Sequence, residues 1–275
     1  MLDKFKEYLS QNGSSTNTQK VYLCNVKKYL NEYPSILTRQ DVLEYKEHLQ
    51  NDKGLSAKSI NQMLSSLKSY NEFLIEKNIQ DNMVIISKDF IKIQKSLINP
   101  TIASLRDVSI FMNKIRNSND KYSFRNYAIA MTIANTGLRI SEICKLKIKN
   151  LSLDDNEAVI IGKGNKQRDI IVYPEAVKII KEYLKIRNSD SPYLFVSQKG
   201  DRLQTSTIQR IFKNNSDTIT PHQLRHVFAT NFLNECKDIA KLQLQLGHSD
   251  PRTTMIYNHP TKKDRKKDLD LIKIK

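Results

Sequence analysis

A histidine and an arginine lie at the start of one predicted helix, and together they favour binding of a phosphate group. Thr220 is suited to the N-cap and Pro221 to the first helical position. His222 and Arg225 then lie three residues apart, on one face at the positive end of the helix. A phosphate there would accept hydrogen bonds from backbone amides, an imidazole and a guanidinium. Ordinary capping and packing roles for these side chains are the alternative.

A zinc site is a competing interpretation of the same helix. His222 and His226 are four residues apart, the spacing found in the helix of zinc metalloproteases. That motif needs a glutamate directly after the first histidine, as the general base, and Gln223 occupies this position. We therefore expect no metal ion here, and the sequence indicates no other cofactor.

Four further polar residues are individually weak candidates. Arg139 follows a glycine at a helix junction, and Lys163 lies on the tip of a predicted hairpin. His248 comes directly after a glycine that ends a helix, and Tyr257 is nine residues further on. Taken alone, each of them is explained as well by an ordinary role: a salt bridge, a solvated lysine, a helix-cap contact or a packed tyrosine.

The order of these residues along the chain is much more specific. The candidate catalytic residues are Arg139, Lys163, His222, Arg225, His248 and Tyr257. In this order of residues the chain resembles the tyrosine recombinases of the phage-integrase family. The resemblance lies in the segments T-G-L-R-I-S-E, G-K-G-N-K-Q-R, H-Q-L-R-H-V-F-A-T and L-G-H-S-D-P-R-T-T-M-I-Y. The resemblance is to the Xer branch, and in particular to its archaeal members. It is strong over residues 100–260 and extends only to length and helical character over residues 1–90.

The resemblance implies a DNA strand transferase that needs neither metal nor ATP. Tyr257 would attack a DNA phosphorus and form a 3′-phosphotyrosine, and a 5′-hydroxyl would later reverse this attack. The covalent link conserves the energy of the broken bond. Arg139 and Arg225 would stabilise the charge on the non-bridging oxygens with guanidiniums that are always ionised.

The resemblance assigns the remaining candidates to donor and proton-transfer roles. His222 and His248 would add hydrogen-bond donors, and one of them would act as a base toward the tyrosine. Lys163 would protonate the 5′ leaving group, with Lys166 as an alternative for this role.

Two neighbouring residues are expected to support the site. Glu142 either orients an arginine or is an ordinary exposed glutamate of its helix. His226 is expected to pack against the site or support it, and not to take part in the chemistry.

The resemblance also implies the partners. The substrate would be duplex DNA with two inverted half-sites, bound by a homo-tetramer on paired sites, with no membrane and no small-molecule ligand. Strand exchange through a Holliday junction would resolve chromosome dimers. The alternatives are an integrase of a mobile element, a type IB topoisomerase, and a non-catalytic DNA-binding protein of the same fold. Loss of a catalytic position would mark the last of these, and none is lost.

Two domains are predicted to position these residues, in a mainly α fold with a small antiparallel β-sheet (α+β). Helical periodicity over residues 1–85 predicts a small bundle, similar to the core-binding (SAM-like) domain of the family. Residues 86–103 contain Pro100 and no clear period, and we interpret them as a linker. Residues 104–260 form the predicted catalytic domain. The apolar and basic tail 261–275 either docks onto a neighbouring protomer or frays.

A hairpin and several helix ends are expected to shape the catalytic domain. Residues 158–162 and 169–173 read as two strands joined by a basic tip, and residues 193–197 as a possible third strand. Helices are predicted at about 205–214, 220–235 and 238–246. Gly137 and Gly247 are expected to end helices as C-caps.

The composition favours a polyanionic partner and excludes several classes of protein. The formal net charge of the 275 residues is +16, with +3 in residues 1–100 and +13 in residues 101–275. No apolar stretch approaches the length of a membrane span, and the charged N-terminus is unlike a signal peptide. Three widely spaced cysteines indicate neither a disulfide framework nor a zinc ribbon, so we expect a cytoplasmic protein with reduced thiols.

Overall fold

The computed structural model describes residues 1–93, 103–162 and 167–247. The chain divides into two compact units, Met1–Leu97 and Ile98–Lys275. Over the described ranges it forms eleven α-helices and one three-stranded antiparallel sheet. The predicted fold class, mainly α with a small antiparallel sheet, is therefore confirmed. None of the described helices is long and apolar enough to cross a membrane.

The first unit is a bundle of four helices. They are α1 (Leu2–Gln11), α2 (Thr16–Leu30), α3 (Arg39–Asn51) and α4 (Ala57–Glu76). The hydroxyls of Ser15, Thr38 and Ser56 cap the last three by accepting the backbone N–H three residues on. An aromatic cluster fills the core, where the rings of Phe5 and Tyr70 meet edge to face at 5.2 Å.

A short segment after the bundle packs back onto it. Residues Ser87–Asp89 form a 3₁₀ turn, and the buried carboxylate of Asp89 pairs with both terminal nitrogens of Arg39 at the start of α3. The amide of Asn61 on α4 exchanges two hydrogen bonds with the backbone of Ile91. The start of the predicted linker, as far as Ile91, thus contacts the bundle, and the domain limits themselves stay a prediction.

The second unit combines seven helices with the sheet over its described residues. The helices are α5 (Leu105–Arg116), α6 (Ser123–Thr136), α7 (Ile140–Ile143), α8 (Pro174–Ile186), α9 (Thr205–Asn215), α10 (Pro221–Cys236) and α11 (Ile239–Leu246). The strands are β1 (Leu151–Ser152), β2 (Glu157–Ile161) and β3 (Gln167–Ile171). Helix α6 has nine of its fourteen residues buried and packs against α5, α8 and α10, so it forms the centre of this unit.

The sheet confirms the predicted hairpin and corrects the predicted third strand. Strands β2 and β3 pair antiparallel with Ile161 opposite Gln167, and the third strand is β1, paired with β2. Residues 193–197 contribute only isolated bridges. Leu194 and Phe195 are fully buried there, so the apolar run reflects burial in the core and not a place in the sheet.

Candidate active site

Four helix ends meet in the second unit and place the backbone groups around which the candidate residues gather. These are the C-terminal ends of α6 and α11 and the N-terminal ends of α7 and α10. Gly137 ends α6 and Gly247 ends α11, both in the left-handed conformation with φ of 65° and 63°. The two predicted C-caps are therefore confirmed. At Gly137 an added Cβ would lie 2.5 Å from Phe228, so this helix end has no space for a side chain.

Arg139 lies between two of these helix ends, as the N-cap residue of α7. Its Nη1 atom donates to the Leu246 carbonyl and to a carboxylate oxygen of Glu142, at 3.3 Å each. The side chain is 44 % exposed. Arg139 thus joins the end of α11 to the start of α7 while part of its guanidinium faces solvent.

Arg225 reaches the same helix ends from α10. The predicted N-cap is confirmed, because the Thr220 hydroxyl accepts the Gln223 N–H at 3.1 Å. One turn further on, the Arg225 side chain is buried, with 3 % exposed. Its Nη1 atom donates to the Gly137 carbonyl and its Nη2 atom to the Leu246 carbonyl at 3.0 Å.

Glu142 is the acidic centre of this arginine cluster. Its carboxylate accepts the Arg139 backbone N–H at 2.9 Å, as in a capping box, and lies 4.0 Å from Nη1 of Arg225. Only 5 % of the side chain is exposed. Burial alone would raise the pKa of this carboxyl, but hydrogen bonds and charge from Arg168, and then Arg139, lower it. The prediction that Glu142 orients an arginine is confirmed, and the exposed alternative is wrong.

Arg168 is a residue that the sequence analysis missed. From β3 its Nη1 and Nη2 atoms donate to both oxygens of Glu142, at 2.9 and 3.1 Å, and its Nε donates to the Gln245 carbonyl at 3.2 Å. Alternation along the strand places Arg168 on the same side as buried Ile170. An arginine on the inward side of a strand needs a buried acceptor, and this was the available signal.

Gln245 is a second residue that the sequence analysis missed, because an amphipathic helix gave no reason to single it out. Its amide nitrogen donates to the carbonyls of Thr136 and Ile171, and its amide oxygen accepts the Ile171 N–H at 3.0 Å. The side chain therefore ties α11 to β3 and to the end of α6. This connection holds the C-terminal end of α11 beside the arginines.

The two histidines of α10 contact each other directly. The Nε2 atoms of His222 and His226 lie 2.9 Å apart, so one ring donates to the other. His222 is exposed, whereas His226 is buried. Burial, together with the nearby His222 and Arg225, lowers the pKa of His226 to about 4, so this ring is neutral at pH 7. A neutral, buried imidazole that orients His222 agrees with the predicted supporting role of His226.

An open cleft of about 660 Å³ borders the cluster. Arg139, His222 and Arg225 are among the residues that line it, and Phe212 and Ile219 contribute apolar surface. The cleft gives a solvent-accessible approach to the Arg139 guanidinium and the His222 imidazole, with the buried Arg225 in its wall. These groups can bind an oxyanion and stabilise negative charge that develops on it.

The structure brings together three of the six predicted catalytic residues, Arg139, His222 and Arg225. Lys163 and its alternative Lys166, and likewise His248 and Tyr257, lie outside the described residues. Strand β3 begins directly after the first pair in sequence, and α11 ends two residues before His248.

Comparison with known proteins identifies related domains in both units. A family described as "Phage integrase family" matches residues 104–264, and "Phage integrase, N-terminal SAM-like domain" matches residues 1–81. The chain is 39 % identical to "TnP I resolvase" of Bacillus thuringiensis, with 98 % of each chain covered. It is 34 % identical to "Tyrosine recombinase XerA" of Pyrococcus furiosus, covering 98 % of this chain and 93 % of that one.

A solved structure shows the same fold. It is the "XerH site-specific recombinase bound to palindromic difH substrate: post-cleavage complex". The TM-score is 0.71 at 23 % identity, with 93 % of this chain and 79 % of that chain covered.

Proposed function

Because the chain belongs to the phage integrase family, as a site-specific tyrosine recombinase of the Xer branch, we propose that it cleaves and rejoins duplex DNA through a phosphotyrosine at Tyr257. The observation that supports this proposal most is the pairing of Arg139 and Arg225 on one backbone oxygen at the edge of an open cleft. Two fixed positive charges beside His222 suit the pentacoordinate phosphorane, whose non-bridging oxygens carry more charge than those of the ground state.

The proposed reaction is a transesterification in two reversible steps. The phenolic oxygen of Tyr257 attacks phosphorus while the bond from phosphorus to the 5′ oxygen breaks. The 3′ phosphate becomes a tyrosyl ester, and the departing 5′ oxygen takes a proton from Lys163. Attack of a 5′-hydroxyl from the partner strand then releases the tyrosine, so no cofactor supplies energy.

The arginines and histidines divide the remaining tasks in this scheme. Arg225, buried and held by two carbonyls, supplies a charge that cannot swing away. Arg139 supplies a second charge from the solvent side. His222, oriented by neutral His226, donates to a phosphate oxygen, and His248 adds a further donor or acts as the base.

We further propose a homo-tetramer on two paired DNA sites, each site with two inverted half-sites. Strands would be exchanged in pairs through a Holliday junction at a dif-like site, and the product would be a resolved chromosome dimer. The relative named a resolvase in Bacillus thuringiensis supports a resolution reaction, and the net charge of +16 supports a DNA partner. The cytoplasm, where the chromosome lies, would be the place of action.

A recombinase of a mobile element is the second candidate. It uses the same chemistry on a different DNA target, and the match to the family described as "Phage integrase family" favours it. The two candidates differ in the DNA site that the protein selects, so the sequence of the trapped site decides between them.

Covalent trapping tests the proposed reaction. Wild type and Tyr257→Phe are mixed with nicked duplex fragments of the chromosome from which the protein comes, in excess EDTA, and SDS-resistant protein–DNA adducts are isolated and sequenced. We expect an adduct in wild type alone, with equal DNA binding by both proteins. An adduct in Tyr257→Phe moves the nucleophile elsewhere, and DNA binding by wild type without any adduct contradicts the proposed activity.

A further inference from the structure

Glu142 is shared unequally by the arginines around it. Arg168 binds both of its carboxylate oxygens, at 2.9 and 3.1 Å, in the parallel two-bond geometry that guanidinium and carboxylate prefer. Arg139 reaches the carboxylate with one nitrogen at 3.3 Å, and Arg225 lies at 4.0 Å. The carboxylate is therefore committed mainly to Arg168, which is not one of the predicted catalytic residues.

This unequal sharing leaves much of the Arg139 guanidinium available. Its Nη1 atom is engaged by Glu142 and the Leu246 carbonyl. Its Nε and Nη2 atoms have no hydrogen-bond partner within the described ranges, and the side chain is 44 % exposed beside the cleft. These two nitrogens form a fork that matches two oxygens of a phosphate.

Arg168 is held in place from several directions. Its Nε atom donates to the Gln245 carbonyl, and its guanidinium lies against Gly247, where an added Cβ would be 2.7 Å from the central carbon of the guanidinium. Only 16 % of the side chain is exposed. An arginine held in this way presents its fork to Glu142 without the entropy cost of ordering a mobile side chain.

We propose that Arg168 is a positioning residue that occupies the carboxylate of Glu142 and thereby keeps the Nε and Nη2 atoms of Arg139 available for the scissile phosphate. This inference rests on the proposed function. Without Arg168, the buried carboxylate must take another cation, and among the described residues Arg139 is the neighbouring cation with the exposure and the unused donors to turn toward it. The phosphate would then compete with a carboxylate for one guanidinium.

The test asks whether removing the charge of Glu142 restores part of the cleavage rate that is lost when Arg168 is replaced. Arg168→Gln, Arg168→Lys, Glu142→Gln and the double variant Arg168→Gln/Glu142→Gln are compared in single-turnover cleavage of the trapped DNA site. We expect Arg168→Gln to slow cleavage about 100-fold with DNA affinity little changed, the cost of losing one preorganised donor. Arg168→Lys should lie between this variant and wild type. The double variant should be about 10-fold faster than Arg168→Gln, because the competing charge is gone.

Arg39→Gln is the matched control, since Arg39 also binds both oxygens of a buried carboxylate, that of Asp89, in the other unit. It should lower thermal stability and leave the cleavage step unchanged. A double variant no faster than Arg168→Gln, or a wild-type rate in Arg168→Gln, overturns the inference and leaves Arg168 a structural residue. If Arg168→Gln does not fold, the same comparison is made with Arg168→Lys and Arg168→Lys/Glu142→Gln.

A titration without DNA separates this inference from the proposed activity. Inorganic phosphate is added to wild type and Arg168→Gln while NMR follows the Nε–H resonance of Arg139. We expect phosphate to bind about 10-fold more weakly to the variant, whether or not wild type forms an adduct with DNA. Equal affinities would refute the role of Arg168 and leave the recombinase proposal untouched.

Discussion

Arg139 and Arg225 donate to the same backbone oxygen, the carbonyl of Leu246, at 3.3 and 3.0 Å. A carbonyl oxygen has two lone pairs, and at a helix C-terminus it carries part of the negative end of the helix dipole. One atom thus holds two guanidiniums side by side that would otherwise repel each other. It also holds the end of α11, from which the chain continues to His248 and Tyr257.

Replacement of Arg225 should slow catalysis strongly and spare DNA binding. Arg225→Ala is expected to slow cleavage on the order of 10²–10³-fold, because it removes a preorganised charge next to the phosphate. Arg225→Lys should recover little of this loss, since one ammonium cannot serve the Gly137 and Leu246 carbonyls and a phosphate together. Single-turnover cleavage and gel-shift titration measure the two effects. Unchanged cleavage in Arg225→Ala would exclude Arg225 from the active site.

Gly137→Ala should destabilise the second unit in two ways, by steric overlap of the added Cβ with its neighbours and by backbone strain. Gly137 has φ of 65°, and a Cβ there would lie 2.5 Å from Phe228 and 2.6 Å from Leu246. Gly13 has nearly the same φ, 69°, with nothing within 4 Å, so Gly13→Ala is the matched control. The control should cost only the backbone strain, about 1–2 kcal/mol.

Gly137→Ala should cost a further 1–3 kcal/mol or so for overpacking. Urea unfolding of both variants measures the difference in the free energy of unfolding. If the two variants lose the same free energy of unfolding, the side chains around Gly137 move aside for the added Cβ without a free-energy penalty.

The neutral state of buried His226 should make stability depend on pH in the acidic range. Folding lowers the pKa of His226 from 6.5 to about 4. Between these values the unfolded chain binds a proton that the folded chain does not, so the free energy of unfolding falls as the pH is lowered. The slope contributed is at most about 1.4 kcal/mol per pH unit, and it fades as the pH rises beyond 6.5 or falls below 4.

His226→Gln should make the free energy of unfolding depend less steeply on pH between pH 4 and pH 6.5. The pH dependence that comes from the carboxylates should remain. Thermal unfolding of both proteins from pH 4 to pH 8 gives the comparison. Parallel profiles would show that His226 is protonated in the folded state as readily as in the unfolded one.

The general acid should be identified by rescue with a better leaving group. A DNA whose 5′ bridging oxygen is replaced by sulfur no longer needs a proton donor at that position. Lys163→Ala should cleave this substrate at nearly the wild-type rate and the normal substrate far more slowly. Rescue of Lys166→Ala alone would transfer the role to Lys166.

The sequence by itself determined the local features, because their causes lie within a few residues. Thr220 as an N-cap and Gly137 and Gly247 as left-handed C-caps follow from the intrinsic preferences of these residue types. The hairpin of β2 and β3 follows from two short runs of β-type residues on both sides of a polar tip. The ordered set of six polar residues identified the family without any coordinates.

Only the tertiary structure decided which of these groups meet and which charges compensate each other. The apolar run at residues 193–197 has the composition of a strand, but burial in the core and not pairing explains it. From the sequence, Glu142 is equally well interpreted as exposed or as buried, and Arg168 lies 26 residues further along the chain. Their pairing depends on how β3 packs against α7 and α11. Such long-range contacts leave no periodic pattern in the chain, because they arise only when the elements are assembled.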